Sequence, residues 1–171
     1  MPKSSINGIE LYYERHGTGP AVIFAHGVGG NHLIWWQQVP EFSSSYECIT
    51  FDHRAFGQSN DIPDGPGAAA FVDDLRALLD DLLIQKTFLV AQSMGGLACL
   101  GFALAYPERC YGLVLGSTGA GIGDPTVLEP LRKHISPTDT RDRFAAPSFV
   151  QNEAAKTFLY LDMSALNPPR S

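Results

Sequence analysis

The stretch that decides the fold of this chain is Phe88-Leu89-Val90-Ala91-Gln92-Ser93-Met94-Gly95-Gly96-Leu97. An apolar run leads directly into Ser93, and small residues stand two positions before and two positions after the serine, at Ala91 and Gly95. Small residues at this spacing let a strand turn sharply into a helix while the two pack closely. We therefore predict a strand that runs into Ser93, a strained backbone at the serine, and a helix that begins directly after it.

Two other apolar runs end in segments of distinctive sequence. Ala21 to Ala25 leads into His26-Gly27-Val28-Gly29-Gly30, whose glycines let a backbone N–H face a site. Cys48 to Phe51 leads into Asp52-His53-Arg54-Ala55-Phe56-Gly57-Gln58-Ser59. Together with the turn at Ser93, these segments resemble the α/β-hydrolase superfamily and, within it, enol-lactone hydrolases, esterases and carbon-carbon bond hydrolases.

The resemblance implies a serine hydrolase that forms an acyl-enzyme on Ser93. In this family the oxyanion is stabilised by two backbone N–H groups. One comes from the residue after the His-Gly pair and the other from the residue after the nucleophile, which here are Val28 and Met94. The substrate is expected to be a small ester, a lactone or a molecule with a carbon-carbon bond next to a carbonyl.

Three further residues are expected to contact that substrate, namely His26, Trp36 and Gln92. Trp36 belongs to an apolar group near the predicted site, although tryptophans there could equally be helix core. For His26 the alternative is a structural role, in which the ring makes hydrogen bonds within its own loop.

The remaining elements complete an α/β pattern. Asn7-Gly8 lies between two short strand-like runs and predicts a hairpin with a type I′ turn. Apolar residues repeat at helical spacing from Phe71 to Leu83 and predict an amphipathic helix on the sheet, with a charged face of Asp73, Asp74, Arg76, Asp80 and Asp81. A buried helix from Gly95 to Tyr106 and a strand from Gly112 to Ser117 are predicted next. The fold class is α/β, an α/β-hydrolase fold whose mostly parallel, doubly wound sheet is flanked by helices.

From Thr118 onward the sequence becomes Gly-rich and then mixed and polar, with a predicted helix from Asn152 to about Leu166. The resemblance implies that residues 1–118 form the N-terminal part of the core and that residues 119–171 start a helical cap. It also implies that the last two strands of the fold are missing. Because the family carries its catalytic acid and histidine after those strands, we expect both groups to come from other polypeptide and this chain alone to be inactive.

The histidines of the chain itself are expected to serve other roles. We predict that His16 and His32 lie at the surface and that His53 lies near the cleft. His134 falls in the predicted cap, which is a poor place to fix a base that must hold hydrogen-bond distance to a nucleophile.

Two aspartates are weaker candidates for the catalytic acid. Asp52 ends a strand, and we expect it to brace the following loop together with Arg54. Asp124 follows a Gly-rich segment and is interpreted as a turn residue.

The strand from Gly112 to Ser117 is an interior strand in the resembled fold but would form an open edge here. Unpaired backbone groups along such an edge offer a template for another strand. We therefore expect a partner along this strand, either the C-terminal part of the same enzyme or a second chain. The chain is expected to be a fragment of an enzyme interrupted in the cap near Pro168-Pro169-Arg170. The alternative function is a catalytically inactive hydrolase-like protein that binds a ligand or a partner.

Composition narrows the class of protein. The net charge of −6 argues against a nucleic-acid partner, and no apolar run is long enough for a membrane span. The residues Met1 to Ser5 lack the apolar core of a signal peptide. The three cysteines are an odd number, which favours reduced thiols over a disulfide framework, so a cytoplasmic location is expected. No motif for a cofactor, a phosphate or a metal ion is recognised, so none is expected.

Overall fold

The computed structural model describes residues 2–119, 121–126, 129 and 146–168, and it places six strands in one sheet. In chain order the strands are β1 (Lys3–Ile6), β2 (Ile9–His16), β3 (Ala21–Ala25), β4 (Glu47–Phe51), β5 (Thr87–Gln92) and β6 (Cys110–Gly116). Their order across the sheet is β1-β2-β4-β3-β5-β6. The pairs β1-β2 and β2-β4 are antiparallel, whereas β4, β3, β5 and β6 run parallel. The predicted α/β fold class, with a mostly parallel sheet, is confirmed.

Five helices and three shorter helical turns have both ends within the described residues. The helices are α1 (Gln38–Phe42), α2 (Phe71–Asp81), α3 (Gly95–Ala105), α4 (Pro147–Asn152) and α5 (Ala154–Ala165). The turns are 3₁₀ helices at His32–Trp35, Gly67–Ala70 and Pro107–Arg109. The helix predicted from Asn152 to about Leu166 forms as α5, and a separate helix, α4, precedes it and begins at Pro147, where proline favours a helix start.

The hairpin at the amino terminus forms as its turn residues predict. Asn7 and Gly8 take positive φ angles of 46° and 78°, and Ile6 pairs with Ile9 across the turn. Positive φ at both central residues is the requirement of a type I′ turn, which matches the twist of the two strands.

The parallel strands end level with one another. Ala25 at the end of β3 pairs with Phe51 of β4 and with Ala91 of β5, and Gln92 pairs with Gly116 of β6. The carboxyl ends of these strands therefore share one edge of the sheet, where binding sites of parallel sheets form. The three motif segments follow these strand ends and are brought together there.

Helices α2 and α3 cover one face of the sheet. The main apolar core lies between them and the strands, with Leu75, Leu78, Ala98 and Phe102 fully buried. The apolar stripe was expected to continue to Leu83, but the helix ends at Asp81 because Leu83 takes a positive φ of 58° and is 83% exposed. Helix α3 was expected to be buried, yet its residues Leu97 and Leu104 are exposed.

The opposite face of the sheet carries an apolar groove of about 490 Å³. Its floor is formed by the strands, through Phe24, Phe88, Val90 and Val114, and Trp35 lies along one side. Next to the groove, β6 pairs with β5 on one side and is the last strand of the described sheet. Val114 is 60% exposed, which is unusual for an apolar residue on a parallel strand.

None of the described helices is long and apolar enough to cross a membrane.

Candidate active site

Ser93 occupies a strained turn between β5 and α3, as the sequence predicts. Its φ angle is 51°, in the left-handed region that residues with a Cβ rarely adopt. The N–H of Ser93 donates to the carbonyl of Gly116 at 2.9 Å, and its carbonyl accepts from the N–H of Gly96 at 3.0 Å. The Thr118 hydroxyl also donates to that carbonyl. Together these three hydrogen bonds hold the backbone of Ser93 in a conformation that it would otherwise avoid.

The glycine after the turn is required by a close approach of β3. A Cβ added to Gly95 would lie 2.3 Å from the carbonyl oxygen of Ala25 and 2.9 Å from that of His26. Both contacts are with backbone atoms, which cannot rotate away. Met94 is the N-cap residue of α3, at the helix end where the first N–H groups have no intrahelical acceptor.

The segment Gly27–Gly30, which we call the glycine loop, lies beside Ser93. A Cβ added to Gly27 would lie 2.9 Å from the Cβ of Ser93 and 2.1 Å from Oε1 of Gln92. Val28 follows Gly27 directly and is partly exposed. The structure therefore brings Ser93, Met94, Gln92 and Val28 together.

His26 is a fully buried anchor of the glycine loop. Its Nδ1 lies 2.8 Å from the carbonyl oxygen of Gly27, and its Nε2 accepts from the backbone N–H of His53 at 3.0 Å. A carbonyl can only accept, so the ring is protonated at Nδ1 and unprotonated at Nε2. With no exposed surface, His26 fits the structural alternative better than contact with a substrate.

His53 lies beneath the site rather than in the cleft. Its ring stacks on Phe71 at 4.4 Å between centroids and contacts the edges of Phe51 and His26. Burial, with a smaller effect of His26, lowers the pKa of His53 well below its ordinary value. His53 is therefore neutral, and at 1% exposure it is not placed to contact a substrate.

His32 was expected at the surface, and this prediction is wrong. The residue does open a helical turn, but it is 7% exposed, and its Nδ1 lies 2.8 Å from Oδ1 of Asp52. The same carboxylate oxygen accepts from the N–H of His32 at 2.7 Å, and Oδ2 accepts from the N–H of Gln58 at 2.8 Å. Asp52 thus braces its loop as predicted, but with His32 and Gln58 rather than with Arg54.

Arg54 instead forms a buried ion pair with Asp74 of α2. Its Nε and Nη2 lie 2.6 and 2.7 Å from the two carboxylate oxygens, and Nη1 lies 3.2 Å from Oδ1 of Asp61. The carboxylate of Asp74 raises the pKa of Arg54. Asp74 was predicted on the charged outer face of α2, but it is 2% exposed, so that assignment is wrong.

Two asparagines tie α5 and the residues that follow it to the loops after β3 and β4, and sequence reasoning missed both. Nδ2 of Asn31 donates to the carbonyl of Met163 at 2.6 Å. Nδ2 of Asn167 donates to the carbonyl of Gly30 at 3.2 Å, and its Oδ1 accepts from the N–H of Gly57 at 2.9 Å. Asparagine before a helical turn at Asn31 was a detectable capping signal, whereas the partners of Asn167 are more than a hundred residues away.

The other candidate residues lie away from these contacts or outside the described residues. Trp36 is 43% exposed at the end of its 3₁₀ helix, and no described contact places it at Ser93. His16 is exposed and pairs with Glu14, as expected for a surface residue. Asp124 is exposed and accepts from the N–H and hydroxyl of Thr126, and because Pro125 and Thr126 are helical, it caps a helix start rather than forming the predicted turn. His134 lies outside the described residues.

A cavity of about 570 Å³ adjoins Met94. Its walls include the apolar side chains of Phe56, Phe71, Ala68 and Pro168. Among the described residues, no group of three or more histidine, cysteine, aspartate or glutamate side chains is arranged to hold a metal ion.

Comparison with curated proteins finds relatives with hydrolytic and related activities. The chain is 36% identical over 121 residues to cis-3-alkyl-4-alkyloxetan-2-one decarboxylase of Shewanella oneidensis, a match that covers 68% of this chain and 38% of that protein. It is 37% identical over 119 residues to 3-oxoadipate enol-lactonase 2 of Acinetobacter baylyi, covering 68% of this chain and 44% of that protein. The chain thus matches less than half the length of these relatives.

Solved structures match almost the whole chain. A thermophilic esterase from Thermogutta terrifontis superposes with a TM-score of 0.80 at 30% identity, covering 98% of this chain and 66% of the esterase. The enol-lactonase from Burkholderia xenovorans LB400 superposes with a TM-score of 0.79 at 25% identity, covering 95% of this chain and 67% of the lactonase. A family profile described as alpha/beta hydrolase fold matches residues 20–164. With this match over most of its length, the chain belongs to the alpha/beta hydrolase fold family.

Proposed function

We propose that this chain supplies the nucleophile and the oxyanion-binding groups of a serine hydrolase that acts on a small ester, a lactone or a carbon-carbon bond next to a carbonyl. The observation that carries the proposal is the left-handed backbone of Ser93, fixed between β5 and α3 beside the glycine loop. Strain of this kind persists where the surrounding structure enforces it, often at functional sites. The esterase and lactonase names of the relatives support the same reaction class.

In the proposed reaction, Oγ of Ser93 attacks the carbonyl carbon and a general base removes the hydroxyl proton. The N–H groups of Val28 and Met94 stabilise the oxyanion, an effect of about 3 kcal/mol for each donor. For an ester or lactone, the C–O bond then breaks and the oxygen of the leaving group takes the proton from the base. Water, activated by the same base, hydrolyses the acyl-enzyme on Ser93.

The general base is proposed to come from polypeptide that pairs with β6. The rings of four described histidines have other contacts: His26 with Gly27 and the N–H of His53, His53 with Phe71, His32 with Asp52, and His16 with Glu14. The exposed edge and apolar surface of β6 support a strand that docks there and brings a histidine and an acid to Ser93. Residues 119–171 are proposed to start a cap over this site, a role supported by the contacts of Met163 and Asn167.

The nucleophile is tested with a fluorophosphonate probe and intact mass spectrometry, together with hydrolysis of short nitrophenyl esters. We expect one phosphonyl group on the hydrolytic form of the protein, and we expect Ser93→Ala to abolish both labelling and hydrolysis. Ser117→Ala is the matched control, because Ser117 also follows a parallel strand with a positive φ of 48°. Retention of a tenth of the activity by Ser93→Ala would contradict the assignment. An unlabelled native protein that still binds ligands would favour an inactive binding protein.

The source of the base is tested separately by size-exclusion chromatography with intact mass measurement of the active preparation. A second polypeptide in the active peak, or a covalent extension of this chain, is expected. A monodisperse species of 18.5 kDa with esterase activity would exclude an external base.

A further inference from the structure

The last turn of α5 and Asn167 just beyond it are hydrogen-bonded to Gly30, the last residue of the glycine loop, and to Asn31, which follows it. Asn31 donates to the carbonyl of Met163 in the last turn of α5, and Gly30 accepts from Nδ2 of Asn167 just beyond it. Asn31 is fully buried, and its Oδ1 also caps the helical turn that follows, by accepting from Leu33. The end of the glycine loop is therefore held by α5 and the residues after it, rather than by the sheet alone.

The other end of the glycine loop is held from inside the protein. The carbonyl of Gly27 lies within hydrogen-bond distance of both Nδ1 of His26 and the N–H of Gly30, at 2.8 and 3.0 Å. Nε2 of His26 accepts from the N–H of His53. Since Asn167 binds the N–H of Gly57, both ends of the loop are anchored on the segment that follows β4. Val28 lies between the two anchors.

Asn167 is suited to this place because a carboxamide can donate and accept at the same time. Its Nδ2 satisfies a carbonyl of one loop, and its Oδ1 satisfies an N–H of another. Aspartate could keep only the bond to Gly57, and alanine could keep neither. Substitution can therefore remove both bonds together or the bond to Gly30 alone.

We propose that Asn167 is a positioning residue for the oxyanion site, which holds the glycine loop so that the Val28 N–H stays aligned with the carbonyl oxygen over Ser93. The inference rests on the proposed function. Oxyanion donors act only within a narrow range of distance, so displacement of the loop by a fraction of an ångström lowers the rate of the chemical step more than substrate binding. Because Asn167 directly follows the α4–α5 segment, docking of that segment also aligns the oxyanion donors.

The test compares Asn167→Ala, Asn167→Asp and a control, Asn152→Ala, in the form of the protein that hydrolyses nitrophenyl esters. Asn152 is exposed at the end of α4 and serves as the matched asparagine. We expect Asn167→Ala to lower kcat by about tenfold with KM within about twofold of the parent. Asn167→Asp is expected to lose as much kcat as Asn167→Ala, because it lacks the donor to Gly30. Asn152→Ala is expected to match the parent.

Amide hydrogen exchange on the same variants gives a readout that does not depend on catalysis. Both Asn167 variants should speed exchange of the glycine loop, whereas only Asn167→Ala should speed exchange at Gly57. Full kcat in Asn167→Asp, or faster exchange in Asn167→Ala without loss of kcat, would overturn the positioning role while leaving the proposed function intact. A parent protein that hydrolyses no ester in any form would overturn the proposed function, and the positioning role with it.

Discussion

Two serines of this chain directly follow neighbouring parallel strands with nearly equal positive φ angles, yet their surroundings differ. Ser93 follows β5 with a φ of 51°, and Ser117 follows β6 with a φ of 48°. Each is followed two residues later by a glycine, at Gly95 and Gly119. A Cβ on Gly95 would collide with the backbone of β3, whereas a Cβ on Gly119 would meet no described atom within 4 Å.

The difference shows that a serine after a parallel strand, with a glycine two residues later, does not by itself make a tight strand-to-helix turn. Ser93 leads into α3, whose first turn is pressed against the end of β3. Ser117 is exposed and leads into Thr118, whose hydroxyl binds the carbonyl of Ser93. The second turn thus supports the first, and the crowding around Gly95 is what fixes Ser93 beside the glycine loop.

The largest expected effect comes from adding a side chain at each of the two glycines. Gly95→Val should lower the free energy of unfolding by about 3 kcal/mol or more, because the contacts are with backbone atoms that cannot move aside. Gly119→Val should change it by less than about 0.5 kcal/mol. Urea unfolding of both variants measures the difference, and equal stabilities would show that the close packing at Gly95 does not exist.

A second prediction concerns His53, which lies under the site after the end of β4, and the dependence of stability on pH. The pKa of His53 is depressed in the folded protein by burial, so below about pH 6.5 the unfolded chain binds one more proton. Stability should therefore fall with decreasing pH in this window, by up to about 1.4 kcal/mol for each pH unit from this residue. His53→Phe, which keeps a ring against Phe71, should remove that part of the pH dependence.

The check is the free energy of unfolding of the parent and His53→Phe at about pH 8 and at about pH 5.5. Near pH 8 the two should be similar, since the Nε2 of His53 is buried without a hydrogen-bond partner among the described residues. An equally steep loss of stability on acidification in both proteins would mean that another group causes it.

The sequence predicted those parts of the fold whose signals are local. The Asn7-Gly8 turn, the apolar strands and the serine turn each depend on residues within a few positions of one another, and each forms as predicted. The same holds for the grouping of the motif segments, because parallel strands must bring their carboxyl ends to one edge.

The errors concern polar residues whose partners lie far away in the chain. Asp74 falls within the inward stripe of α2 by spacing, but its charge suggested an outward position. Its burial is made possible by the pairing with Arg54 and by a hydrogen bond from Nδ2 of Asn7. His32 is buried for the same reason, by its bonds to Asp52. Such pairings have no local signature, and neither do the two bonds of Asn167.

A third prediction concerns the bond that joins the two serine turns. Thr118→Val keeps the shape of the side chain but removes the hydroxyl that donates to the carbonyl of Ser93, and should lower the free energy of unfolding by about 1 kcal/mol. Thr157→Val in α5 is the matched control. The Thr157 hydroxyl oxygen is buried with no partner among the described residues, so its removal should be neutral or slightly stabilising. A larger loss in the control would mean that threonine shape, rather than the hydrogen bond, determines the result.

The smallest expected effect is relief of backbone strain at the two serines themselves. A residue with a Cβ in the left-handed region destabilises the fold by about 1–2 kcal/mol, and glycine removes this strain. Glycine also makes the unfolded chain more flexible, which offsets about 0.5–1 kcal/mol of that gain. Ser93→Gly and Ser117→Gly should therefore each raise the free energy of unfolding by about 0.5 kcal/mol, measured by urea unfolding. Because the φ angles are nearly equal, the gains should be nearly equal, while fluorophosphonate labelling should disappear only in Ser93→Gly. A loss of stability in Ser93→Gly alone would show that its side chain is part of the packing against Gly27, so that the two turns differ in contacts made by the serine as well as in the crowding of the glycine that follows.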